Sequence, residues 1–488
     1  MQQQTMILKK CADNKVIRSI NDFIETKYFM VVLAFLSVCC NVFGLELYVY
    51  TIVISFGIYL CLFARDMRAL VFAVPLMYVS PSVQNNPASN PDSIFFPKNG
   101  LWMVILYLAI FFGLLIVRIA MNMKKDNFFK HKRKLWLGFL FLAVAFLLGG
   151  AGQAEYTFLN LSYGALLFVS LFVLYYCLVG LVDWESVPKD YFAWAGMFLS
   201  LTVAVETLNI YLQAGTINLE GFIDRGTIFT GWGINNNMAC VLLFGMPCAF
   251  YLAATYRKGY RFSLVATAIY IAIIFTNSRN GIAFGALLYI VCWVAAIWNH
   301  KNRKGNLIVF LSVVFVAGIM WFISADYMMR LFKMMFTMGL DDNGRFPTYW
   351  NGLKQFVAAP FLGKGFYACE EFQWGGVDIG GFLPPRWHNT FVQLAASCGV
   401  VGLLAYAYHR YQTVKLYIKK PTLEKTFIAF CIFGILLTSL LDCHLFNIGP
   451  GLLYSIYLAF LEKQDAIKTD ELPTLFGQVG FKRRGLNF

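Results

Sequence analysis

Apolar stretches long enough to cross a bilayer recur from one end of this chain to the other, separated by short polar segments. A perpendicular helix needs roughly 20 mostly apolar residues to span the hydrocarbon core. In lipid every backbone polar group must also be bonded internally, which leaves helices or closed barrels. The expected fold is therefore an all-α polytopic integral membrane protein. Only 14% of the 488 residues are charged and 59% are hydrophobic, which excludes a soluble domain of this size. Runs near 28–43, 45–64, 69–83, 101–121, 135–152, 161–181, 191–212, 233–255, 262–278, 281–299, 307–324, 389–408, 426–441 and 448–462 give fourteen candidate spans. The runs 28–43, 69–83, 426–441 and 448–462 are shorter than about 20 residues, so twelve spans plus an interfacial hairpin is the alternative. An even number puts both termini on one side.

Charge decides which side. Residues 1–27 are polar and basic (Lys9, Lys10, Lys15, Arg18, Lys27) and lack a cleavable apolar core, so they read as a cytoplasmic segment followed by an inserting first span. With that segment inside, alternation places "RDMR", "KKDNFFKHKRK", "YRKGYR", "HKNRKGN", "RYQTVKLYIKKPTLEK" and the tail "FKRRGLNF" inside as well. This divides the chain into the N-terminal segment 1–27, a membrane domain 28–462 with a large external loop 325–387, and a cytoplasmic basic tail 463–488. It also explains the net charge of +14 without a nucleic-acid partner. His131, His300 and His409 fall at cytoplasmic boundaries and read as ordinary edge residues. The twelve cysteines form no CxxC pair and mostly sit in apolar runs as small packing residues; Cys369 and Cys443 are the pair placed for an external disulfide.

Nine of the 40 Lys and Arg fall outside: Lys98, Arg225, Arg279, Arg330, Lys333, Arg345, Lys354, Lys364 and Arg386. Several occupy span ends or short loops where topology gives no reason for a cation. Four external pieces then stand out. "IDRGTIFTGWGINNN" (223–237) carries Arg225 before a Gly- and Asn-rich approach to the next span. "TNSRNG" (276–281) puts Ser278 and Arg279 in a hairpin tip with almost no loop. A charge there costs about 2.5–3.5 kcal/mol at membrane depth, so Arg279 either snorkels to the interface or grips an anion, and a guanidinium fork matches phosphate oxygens. Arg225 beside Asp224 reads equally as a paired loop arginine.

The long loop is the third piece. "GRFPTYWNGLKQFVAAPFLGKGF" (344–366) spaces Tyr349, Trp350, Leu353, Phe356 and Val357 as a helix that stops at Pro360 and glycines, with Arg345 at its start. An amphipathic helix over the membrane mouth is expected, as a lid or as a structural cap. "RWHN" (386–389) is the fourth piece: Arg386, His388 and Asn389 open a span in which Ala395, Gly399 and Gly402 share a helical face for close packing. A neutral imidazole at His388 can remove a proton near neutral pH. His444 in "DCHLFN" is a second external candidate, and Glu206 is an intramembrane carboxylate suited to base or arginine partner. Asp341, Asp342, Glu370 and Glu371 form no compact carboxylate group, so no metal and no other cofactor is expected.

"HNTFVQLAASCGVVGLL" resembles the signature of the O-antigen ligase and polymerase superfamily of bacterial membrane glycosyltransferases. "DRGTIFTGWGINNNMA", "TNSRNG" and "GRFPTYW…APFLGKGF" resemble that family's other segments in the same order, over roughly 190–462. Where the family often has Pro-Asn, this chain has Asn235, Asn236 and Asn237, which leaves the fit of Arg225 open. The resemblance implies a bacterial cytoplasmic (inner) membrane enzyme acting at the periplasmic or exterior face. Its donor would be an undecaprenyl-pyrophosphate-linked oligosaccharide, its acceptor a glycan or a lipid, and its surroundings the lipid bilayer; a chain-length regulator is a candidate partner. On this reading His388, Arg279 and Arg225 are catalytic, and Arg345, Arg386, Asn389, Ser278, Glu206, Trp350 and His444 bind substrate. A polymerase is the first expectation and an O-antigen ligase the alternative. A flippase for the same lipid-linked sugars is the second alternative; no internal repeat supports it.

Overall fold

The computed structural model describes residues 14–43, 45–64, 66–79, 101–125, 133–154, 156–213, 229–230, 233–299, 301–323, 325, 329, 345–368 and 386–468. Each of the fourteen apolar runs carries a helix. Helix α1 (Lys15–Ile24) bends by 79° into α2 (Lys27–Val42). Then follow α3 (Glu46–Phe63), α4 (Leu70–Val79), α5 (Leu101–Lys125), α6 (Trp136–Leu148) and α7 (Phe158–Leu181, widened to a π turn at Val169–Val173). The middle of the chain gives α8 (Tyr191–Gln213), α9 (Asn235–Thr255), α10 (Tyr260–Phe275), α11 (Arg279–Trp298) and α12 (Arg303–Ile323). The last four are α13 (Arg345–Ala358), α14 (Thr390–Lys419), α15 (Leu423–Thr438) and α16 (Ile448–Lys463). Among the described residues the one strand pairing joins Phe229–Thr230 to Gly233–Ile234, just before α9.

Among the described residues six helices (α7, α8, α9, α11, α12 and α14) are long and apolar enough to cross a membrane, or seven if the bent α1–α2 pair is one span. The molecule is an all-helical polytopic membrane protein. The N-terminal segment, read from sequence as polar approach, is partly helix: Asn21 is buried and its side-chain amide donates to the Phe63 carbonyl at the end of α3 (3.1 Å).

The core is organised around α9. Its sequence, NNNMACVLLFGMPCAFYLAAT, has apolar or small residues on every side, so no face needs water. Ninety-four per cent of its apolar window is buried, against α8, α10, α11 and α15. Ser200 on α8 donates its hydroxyl to the Val241 carbonyl (2.9 Å), a close approach that Gly245 permits. Helix α12 is apolar along most of its length, yet nearly all of it lies exposed on the outside of the fold. Its apolar surface is turned to lipid.

Helix α14 is broken at Gly399, whose φ of 64° and ψ of −158° suit only glycine. The break strips partners from backbone groups on both sides, a costly state away from water. The segment after α13 replaces them. Lys364 N–H donates to the Ala396 carbonyl (2.8 Å) and Gly365 N–H to that of Ser397 (3.1 Å). In return the Pro360 carbonyl accepts from Val400 N–H (2.8 Å) and that of Phe361 from Val401 N–H (3.2 Å). Gly150, in the turn after α6, donates to the Leu362 carbonyl (2.8 Å) and closes the seam. A Cβ on Gly399 would lie 2.4 Å from the Phe361 carbonyl carbon. The expected face of Ala395, Gly399 and Gly402 is therefore corrected: Gly399 is the interruption of the helix, and the loop passes through it.

Candidate active site

The mouth end of α14 is built by capping. Asn389 is its N-cap: the side-chain oxygen accepts from Phe391 N–H (2.8 Å) and Val392 N–H (3.2 Å). Its amide nitrogen donates to the Leu440 carbonyl (2.8 Å), and Thr390 N–H donates to that of Ser439 (3.0 Å). The start of α14 is thus stitched to the end of α15. His388, one residue earlier, adopts φ +50°, an unusual backbone for a residue with a side chain. Its carbonyl accepts from the Tyr349 hydroxyl of α13 (3.1 Å), so the expected amphipathic helix does lie against the mouth.

The His388 ring meets a buried carboxylate. Its Nδ1 is 3.4 Å from Oδ1 of Asp442, in the turn after α15. The same oxygen accepts from Cys443 N–H (2.9 Å). The other oxygen accepts from the Asn236 amide at the start of α9 (3.1 Å), with His444 Nε2 3.9 Å away. Asn236 in turn accepts from the Ser278 hydroxyl (2.8 Å). Ser278 is the N-cap of α11, accepting from Gly281 N–H (3.1 Å), and the turn before it is closed by Asn277 at φ +56°. Arg279 is the first residue of α11, half-exposed at the positive end of that helix. Asn447 donates to the Asn237 side chain (2.8 Å), tying the same turn to α9 a second time.

Burial alone would raise the Asp442 pKa. The bond to His388, the neighbouring His444 and His388 charges and the Cys443 N–H outweigh it and hold the carboxyl well below the usual range. Burial pushes His444 below the ordinary imidazole value; Asp442 opposes this, and the positive charges of Arg386 and His388 reinforce it. Arg386 therefore lies within electrostatic reach of His444, and of Cys443 too. The result is one fixed anion with the His388 imidazole beside one oxygen, His444 3.9 Å from the other, and a guanidinium bordering the group.

The structure thus brings His388, Asn389, Ser278, Arg279, Arg386 and His444 into one group. Arg345 starts α13, whose Tyr349 touches His388. Trp350 points the other way, on an exposed stripe with Phe346, Leu353 and Val357. Glu206 is buried on α8. Arg225, Asp341, Asp342, Glu370 and Glu371 lie outside the described residues, as do Lys98, Arg330, Lys333, His131, His300 and Cys369. Cys443 is buried and donates its thiol to Gln393 Oε1 (3.5 Å). His409 is corrected: it is fully buried inside α14, bonded to the Tyr454 hydroxyl (2.9 Å). Sequence reading missed Asp442 and Asn236. The signal for the first was its place two residues before His444 in "DCHLFN"; for the second, the unusual run of three asparagines opening a span.

Residues 262–407 match the family model described as O-antigen ligase. The match runs from α10 to within α14 and takes in Ser278, Arg279, α13, His388 and the break at Gly399, while Asn236 and Asp442 fall outside it. No curated protein matches the chain. Over residues 262–407 the chain is thus similar to the O-antigen ligase family.

Proposed function

We propose that the protein is a metal-independent membrane glycosyltransferase that polymerises undecaprenyl-pyrophosphate-linked oligosaccharide units. It works at the outer face of a bacterial cytoplasmic membrane, with fourteen spans and both termini inside. The observation that carries the reading is the pairing of His388 with the buried Asp442, joined through Asn236 and Ser278 to the helix end bearing Arg279. With Nδ1 turned to Asp442, Nε2 keeps its lone pair for an acceptor hydroxyl. The acceptor oxygen attacks the anomeric carbon, its proton passes to Nε2, and the sugar–phosphate bond breaks with its electron pair leaving on the pyrophosphate. Asp442 stabilises the imidazolium. Arg279 and the N–H groups opening α11 stabilise the leaving anion, a role for which helix starts are suited. Attack opposite the pyrophosphate inverts the anomeric centre.

Ligation to a lipid acceptor is the second reading, favoured by the description of the matching family. Purified protein is incubated with polyprenyl-pyrophosphate-linked oligosaccharide extracted from cells lacking it, and products are separated on a gel. A ladder of lengths, unaffected by a chelator and lost in His388→Ala and Arg279→Ala, supports the polymerase. A single addition that needs a lipid acceptor supports the ligase. Full transfer by both variants overturns the site.

A further inference from the structure

We infer that Asn236 is a positioning residue for this reaction, its amide locking the Asp442 carboxylate that orients His388 to the turn that carries Arg279. The inference rests on the glycosyl-transfer reading of the site and extends it to a residue outside the matched domain.

The geometry leaves the amide one orientation. Asn236 Oδ1 accepts from the Ser278 hydroxyl, so Nδ2 is the atom facing Asp442, and a donor there is compatible only with an acceptor, the carboxylate. Ser278 cannot swing away, because its hydroxyl oxygen also caps α11. Asn236 is held from its own side by its place in the first turn of α9, the most buried of the candidate spans among the described residues. The chain Ser278, Asn236, Asp442, His388 therefore spans three helix starts and one turn that are distant in sequence, and each link has a defined donor and acceptor. Misplacing a reacting group by about 1 Å costs on the order of a hundredfold in rate. A rigid relay between the base and the anion-binding turn is the device that prevents it.

Among the described residues several charged and titratable groups lie near Asp442 and His388, the Tyr349 hydroxyl of α13 among them. His444 and Cys443 come from the same turn, Arg386 from the segment before α14 and Cys240 from α9; the Arg386 charge also reaches Tyr163 on α7. Asn236 is the neutral member that separates Asp442 from the Arg279 turn. Replacing it by aspartate keeps the shape; the two carboxyl groups share a proton at low pH, and once it leaves the site carries one more negative charge. Added negative charge favours the protonated imidazole, so the acid limb of the rate profile, which needs neutral His388, moves to higher pH.

The test uses the full-length protein in liposomes with the extracted lipid-linked oligosaccharide, comparing wild type, Asn236→Asp, Asn236→Ala and His388→Ala. The expected result is a rise of about one unit in the acid limb for Asn236→Asp. Asn236→Ala is expected to lower kcat ten- to a hundredfold with little change in the donor KM. A wild-type pH profile in Asn236→Asp, with His388→Ala inactive, overturns the role of Asn236 and leaves the reading of the site standing. Wild-type activity in His388→Ala overturns that reading and the inference with it.

Discussion

His388 and His409 stand 21 positions apart, the first just ahead of α14 and the second two-thirds of the way along it. Both are largely removed from solvent and both have defined partners. His409 is enclosed: Phe139 packs on its ring at 4.5 Å between centroids, and its Nε2 shares a hydrogen bond with Tyr454, which also accepts from Arg410 (3.0 Å). His388 is one-fifth exposed, sits on a positively twisted backbone and faces a carboxylate. The difference teaches that burial does not distinguish a working imidazole from a structural one. A retained anion and an open approach do. Arginine neighbours do not separate the two either, since Arg410 adjoins one and Arg386 the surroundings of the other.

Substitution should separate the two histidines most sharply. His388→Ala is expected to lower transfer by about 10²–10⁴ while the protein folds and elutes as wild type. His409→Ala is expected to do the reverse, losing about 1–3 kcal/mol of stability through an unpaired Tyr454 and a cavity beside Phe139. Thermal unfolding in detergent, measured beside activity, checks both. Equal loss of activity in the two variants, at equal stability, would abolish the distinction.

Asp442→Asn sharpens it next. Without the anion the protonated form of His388 is less favoured, so the acid limb moves to lower pH while the maximal rate falls about tenfold or more. Asp442 also couples stability to pH. Its pKa is depressed in the folded protein, so its stabilising contribution is fully present above the unfolded carboxylate value of about 4 and fades as pH falls below it. A wild-type stability curve that does not dip below pH 4 would contradict the burial of this anion.

Gly399→Ala addresses the break lying between the two histidines. The positive φ costs about 1–3 kcal/mol, and the new Cβ meets the Phe361 carbonyl. Loss of thermal stability is expected, with activity lost in proportion, since the loop that leaves the seam returns to His388. Tyr349→Phe should have the smallest effect. It removes one hydrogen bond to the His388 carbonyl, worth about 0.5–1.5 kcal/mol, which corresponds to a rate change of about two- to tenfold.

Much of this was legible in the chain. Apolar run length announced the helix in each of the fourteen runs and amphipathic spacing announced α13, with glycine and proline after Ala358 marking its end, whereas α1 lay in a segment read as polar. Ser278, Arg279, His388 and Asn389 stood out because polar groups at span ends need a reason. Asp442 did not, because a carboxylate just past a span reads as solvated, and only folding sets it 54 positions from His388 and 206 from Asn236 in sequence yet in contact with both. Gly399 read as a packing glycine because small residues at helical spacing favour close helices, and nothing local reports that a distant loop will occupy the gap. His409 read as a boundary residue because Arg410 and Lys415 follow it; the packing of α6 and α16 seals it instead.

The seam at Gly399 also bears on biogenesis. The 359–366 segment is made before α14, but it can bond to α14 only after both have been delivered to the membrane. Until then the Ala396 and Ser397 carbonyls and the Val400 and Val401 amides have no partners in a broken helix, and bare backbone groups in hydrocarbon cost several kcal/mol each. The nascent α14 must therefore insert as an unbroken rod and open at Gly399 when the loop docks. That opening lies ten residues inside the helix whose start holds His388, so the seam and the mouth share one helix.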